Sequence, residues 1–150
     1  MTAQATTTTY REQPVGEWLD FLPEDQQRLV TVPAWATECY AEGWTDQETG
    51  VWIPQGDLSD GRHDFWFSMP VETRRIKVFS GAHGHYVPLT IKLSVRGYLT
   101  RTDGVVRDYR QETVRVALWI NDGGIDLELD ANSANLMLAA LGQALTPVLP

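Results

Sequence analysis

The stretch that most limits the fold of this chain runs from Val87 to Val95. Val87, Leu89, Ile91, Leu93 and Val95 alternate with Thr90, Lys92 and Ser94, and Arg96 continues the polar side. Successive side chains therefore leave the backbone on opposite faces, as in a half-buried strand and unlike a helix. Four further segments repeat the period of two. His63, Phe65, Phe67 and Met69 oppose Asp64, Trp66 and Ser68. Ile76 and Val78 oppose Arg75, Lys77 and Phe79. Val114, Val116, Leu118 and Ile120 share a face, as do Ile125, Leu127 and Leu129. Thr102-Asp103-Gly104 and Asp122-Gly123-Gly124 supply glycine where tight hairpin turns need positive φ. The segment Ser80–Tyr86, "SGAHGHY", reads as a connector between two such strands, bent at Gly81 and Gly84.

The pattern changes after Asp130. Asp130 suits a helix N-cap, Leu129 and Ala134 have the spacing of a hydrophobic staple, and Ala134, Met137, Leu138, Leu141, Ala144 and Leu145 form an apolar stripe. Pro147 and Pro150 end it. These features predict an α+β domain: an antiparallel sheet of about five strands carrying the C-terminal helix on its apolar face. The N-terminal third is less regular. Residues 1–13 read as a disordered polar tail and residues 14–150 as a single domain. A short helix is expected after Pro23, with Leu29 and Val30 facing inward. Short strands at Tyr40–Trp44 and Val51–Ile53 are expected to pair around a turn at Asp46–Gly50.

The chain has 150 residues, a net charge of −8, and one cysteine, which forbids an intramolecular disulfide. Residues 1–60 hold eleven acids and two bases, so the acidity is concentrated at the front. That balance opposes broad affinity for a phosphate backbone. The first eighteen residues lack the basic and apolar regions of a signal peptide, and no run approaches a membrane span. A soluble cytoplasmic protein is expected.

Chemistry-bearing residues are few. Cys39, His63, His83 and His85 are the candidate zinc ligands, with His83 and His85 a two-ligand clip on one side of an extended segment. The bland reading makes the histidines loop residues and Cys39 a small buried apolar group. Nucleophilic catalysis by Cys39 is disfavoured, because Glu38 and Glu42 beside it raise a thiol pKa. No phosphate-binding loop, dinucleotide fingerprint, zinc-protease motif or nucleophile elbow is present. Lys77, Lys92, Arg96, Arg115 and Trp119 are candidates for a single-stranded nucleic-acid surface, the bland reading being a solvated sheet face. Trp35, Trp44, Trp52 and Trp66, set among acids and turns, are candidates for a protein-docking surface, against a second half of the core.

The segment "VPAWATEC", the downstream His63 and the ending "LELDANSANLMLAALGQAL" resemble a group of small proteins from actinobacteria and their phages, over residues 32–145. The resemblance implies a strand-rich body and a final Ala/Leu-rich helix. Ala36 stands where a cysteine often follows the tryptophan in that group, and the group lends no activity. The leading expectation is therefore a non-enzymatic, regulatory interaction protein. It would bind a protein partner or a second copy of itself, through the C-terminal helix or a sheet edge, with no cofactor. A small zinc-containing or nucleic-acid-associated regulatory module is the alternative.

Overall fold

The computed structural model describes residues 9–54, 60–120 and 126–149. The fold is α+β, with every strand pairing antiparallel. In chain order the elements are β1 (Thr9–Pro14), α1 (Val15–Phe21), α2 (Glu24–Leu29), β2 (Glu38–Thr45), β3 (Trp52–Pro54), β4 (Gly61–Glu72), β5 (Lys77–Ser80), β6 (His85–Thr102), β7 (Val105–Gln111), β8 (Arg115–Ile120), β9 (Asp126–Asp130) and α3 (Ala131–Leu145). The described residues thus hold nine strands, more than the expected five. Contacts divide the chain into two compact units: Met1–Met69 with Val95–Glu112, and Pro70–Ser94 with Thr113–Pro150. Among the described residues no helix is long and apolar enough to cross a membrane.

The first unit is built on an aromatic core. β2 and β4 pair with Cys39 opposite Phe67 and Ala41 opposite Phe65, which puts these four side chains on one face. Trp18 of α1 is fully buried against them, its ring 4.9 Å from Phe65 and 5.5 Å from Phe67, which are themselves 5.3 Å apart. Val95 and Leu99 from the second half of β6 complete the layer. Offset and edge-on rings at these separations add to the area they bury. Gly97 has its place here by close approach. A Cβ on it would come within 2.8 Å of Phe65 Cε2 and 3.2 Å of the Tyr109 ring.

Thr9–Gln13, expected as part of a tail, instead form most of β1, in register with β2 from Thr9 opposite Gly43 to Pro14 opposite Glu38. The segment shows no apolar alternation because most of β1 is exposed; its partner's free edge, not a buried face, orders it. Residues 1–8 lie outside the described residues. The helix expected after Pro23 is α2, where Val30 is buried but Leu29 stays 39% exposed. The Asp46–Gly50 turn forms: Gly50 N–H donates to the Asp46 carbonyl at 2.7 Å, and Gly50 takes φ +72°. The β6–β7 hairpin turns on Asp103 (φ 53°) and Gly104 (φ 76°), the two successive positive φ values of a type I′ turn. Asp60 pins it, accepting N–H bonds from Asp103 at 3.1 Å and Gly104 at 3.0 Å.

The second unit takes the first half of β6. Leu89 to Ser94 pair with β8, Leu89 opposite Ile120 and Lys92 opposite Ala117, and β9 pairs with β8 beyond. Leu89, Ile91, Leu93, Val116, Leu118, Leu127 and Leu129 consequently share one face. β5 pairs with residues 85–88 of β6, so Ser80–His85 is a hairpin loop as expected, with Gly84 at φ +70°. The Asp122–Gly124 turn and Ile125 lie outside the described residues. α3 begins as read: Asp130 accepts the Ser133 N–H at 2.6 Å, and that bond holds its carboxyl below the ordinary aspartate value. The helix touches β8 and β9. Yet no residue of α3 is buried, so the apolar stripe expected to close over the sheet stays open.

The packed core of the first unit and the open helix α3 should respond oppositely to a methyl group added at glycine. Gly97→Ala should destabilise by about 1–3 kcal/mol in urea unfolding, because the two rings must give way. Gly142→Ala, on α3 with nothing within 4 Å of the new Cβ, should instead stabilise by up to about 1 kcal/mol. Burial, with Cys39 adding to it, pushes the Tyr109 hydroxyl up to about 12. Its contribution to stability is complete below the unfolded-state value near 10 and is lost as the pH rises from there through about 12. Ultraviolet phenolate titration should show at least one of the five tyrosines ionising only near the top of that window. Five equal titrations near pH ~10 would contradict the buried placement.

Candidate functional site

The chain's apolar groups are most open in the second unit. β5 and its loop, residues 78–82, form one side of a cavity of about 370 Å³. Leu89, Leu118 and Ile120 form its floor, and Leu127 of β9 and Met137 of α3 its far wall. Alternation accounts for the floor: all three floor residues lie on the apolar face of β6 and β8. The volume falls within the range of small-molecule and anchor-residue pockets. Among the described residues no charged side chain lines it, and Ser80 is the single polar one. Phe79, one of the lining residues, meets Tyr86 edge to face with ring centres 5.4 Å apart, both largely exposed.

α3 continues this surface. Leu138 is 71% exposed, Leu141 54% and Leu145 48%. From Ala131 to Pro150 the sequence contains no Asp, Glu, Lys or Arg. Monomeric proteins rarely leave large contiguous apolar patches in water, which makes this surface the candidate site. Chemically it can accept a neutral, apolar partner surface.

The candidate ligands for zinc do not assemble. Cys39 is fully buried in the first unit opposite Phe67, where burial first and Glu12 second push its thiol well up. His63 is buried in the same unit with Nδ1 on Glu42. His83 and His85 belong to the second unit. Their rings are 5.8 Å apart and exposed, and His85 Nδ1–H donates to the His83 carbonyl at 2.8 Å. Among the described residues no group of three or more His, Cys, Asp or Glu side chains could hold a metal ion. The expected zinc alternative therefore has no ligand cluster there. The physical reason is that Cys39 faces the aromatic core.

The basic candidates separate as well. Lys92, Arg115 and Trp119 share the polar face of the second unit, with Lys92 Nζ 5.4 Å from the Trp119 ring centre. β9 sets Asp126, Glu128 and Asp130 on that same face, and Arg115 Nη1 donates to Glu128 Oε2 at 3.0 Å. Lys77 lies on β5 opposite Pro88. Arg96 belongs to the first unit, where it pairs with Asp64 and lies 5.3 Å from the Trp66 ring. Burial alone would raise the Asp64 carboxyl, but hydrogen bonds from Arg62 and Arg96 outweigh it and hold the group below its ordinary value. Arg96 and Arg115 are thus matched by acids.

The four tryptophans also divide. Trp35 packs against the first unit's core. Trp52 lies over Gly43, where a Cβ would come within 2.4 Å of its ring, and its Nε1–H donates to Thr9 Oγ1 at 3.1 Å. Trp66 lies on the outer face, 6.1 Å from Tyr10 and 5.9 Å from Tyr40. The side chain of Trp44 lies outside the described residues. Sequence reasoning passed over Phe79, Leu127 and Met137 as site residues. The signal that marks them is the charge-free run from residue 131 together with the small residues Gly81 and Ala82 beside the pocket.

No family model, curated protein or solved structure matches this chain.

The open pocket should take up a neutral apolar dye. Nile red fluorescence is expected to rise and shift to the blue with the native protein. Met137→Lys, which sets an ammonium in the wall, should weaken that binding by about tenfold or more. Equal binding by both proteins would place the dye elsewhere.

Proposed function

We propose that this chain is a non-enzymatic interaction protein that docks a protein partner on the apolar face of its second unit. One observation carries the reading: α3 is a charge-free helix with no buried residue, set beside an apolar cavity. A helix with an apolar stripe normally buries it against its own domain. Here Leu138 and Leu141 meet solvent, which costs stability unless a partner covers them. In the first unit's outer cluster Tyr10 and Tyr40 are exposed and Trp66 half-buried, and Asp64 beside it is paired with Arg62 and Arg96.

A photo-crosslinking side chain at position 138, expressed in the native host, tests this. Illumination should yield one discrete protein adduct, while the same group at the exposed, polar Asp108 yields none. No adduct at position 138 would overturn the docking reading.

A further inference from the structure

The docking surface described above has the features of one that pairs with itself. We infer that its occupant is a second copy of this chain, seated α3 against α3 across a twofold axis; this rests on the docking reading and names its partner. Four observations converge.

The first is spacing. Ala134, Leu138, Leu141 and Leu145 follow one another at intervals of four, three and four residues. That is the a/d seam of a coiled coil, which meets a like helix knob into hole. All three leucines of the seam are exposed. A helix designed only to lie on its own sheet would bury the seam.

The second is charge. The second unit contains five acidic and five basic residues, whereas the first contains fifteen acidic and seven basic, so the whole charge of −8 resides in the first unit. Two copies that meet through the second unit bring together surfaces of no net charge. A foreign partner chosen by electrostatics would find nothing to read on α3.

The third is area. Among the described residues, Leu127, Met137, Leu138, Leu141, Leu145, Val148 and Leu149, at the cavity wall, along the seam and beyond its end, are between 42% and 73% exposed. At roughly 120 Å² of apolar surface for each fully exposed side chain, these expose about 480 Å². The smaller specific interfaces take about 600 Å² from each partner, of which about 65% is apolar in homodimers.

The fourth is shape. The same surface carries projecting leucines on α3 and a cavity beside Met137. A twofold interface applies each patch to its own copy, so it needs both a knob and a hole on one surface.

Light scattering or sedimentation of the purified full chain decides the matter. The wild type should have twice the 16.9 kDa chain mass at concentrations of about 100 µM. Leu138→Lys with Leu141→Lys should have the mass of one chain with an unchanged circular dichroism spectrum, since neither side chain is buried. Leu136→Lys, on the opposite side of the helix from the seam, should remain a dimer. A wild type that stays monomeric at that concentration, or a dimer that survives the double substitution, overturns the self-pairing. In the monomeric case, a position-138 adduct with a different protein would leave the docking reading standing with another occupant. Absence of both dimer and adduct would remove the two together.

Discussion

Both units depend on one strand. β6 runs for eighteen residues, from His85 to Thr102. Its first half carries the ladders to β5 and β8, and its second half carries the ladder to β7. A shift of one residue in its register would turn Val87, Leu89 and Val95 out and Lys92 and Arg96 in. The strict alternation from Val87 to Val95 forbids that slip. It therefore determines which face of each unit is apolar, and with it where Phe65 and Trp18 pack in one unit and where the cavity floor lies in the other.

That alternation is also why so much of the fold could be read in the residues. Strands with one face in a core leave a period of two, and the hairpin at Asp103-Gly104 leaves its turn chemistry. β1 leaves neither. It is ordered by six register pairs with β2 and exposes most of its side chains, so its sequence, Thr9 to Pro14, is indistinguishable from a polar tail. β7 is legible only as the far side of a turn, because Val106 is its one buried residue. α3 was legible as a helix but not in its role. An apolar stripe says that a helix face must be covered, not that its own sheet covers it.

The candidate site was less legible than the fold for a related reason. Histidine, cysteine, lysine and tryptophan attract attention because of the chemistry they could do, but three-dimensional convergence decides whether they do it. Cys39 is consumed by the aromatic core, and its thiol is held protonated by burial. Arg96 and Arg115 are neutralised locally by Asp64 and Glu128. The groups that remain open to a partner are leucines and a methionine, residues whose default reading is core. Their exposure depends on how α3 is placed, which no spacing reveals.

The partition of charge gives the open helix a physical logic. A protein with a large apolar surface risks indiscriminate association, and net charge is the usual defence. This chain keeps its whole net charge in the first unit and leaves α3 without any. Repulsion between first units then opposes random contacts, whereas the neutral second units can approach in the one arrangement that applies leucine seam to leucine seam. Solubility and association are thereby assigned to different parts of the sequence. Adding a single charge to the seam would disturb association without touching the core, and adding one to the first unit would do little to either.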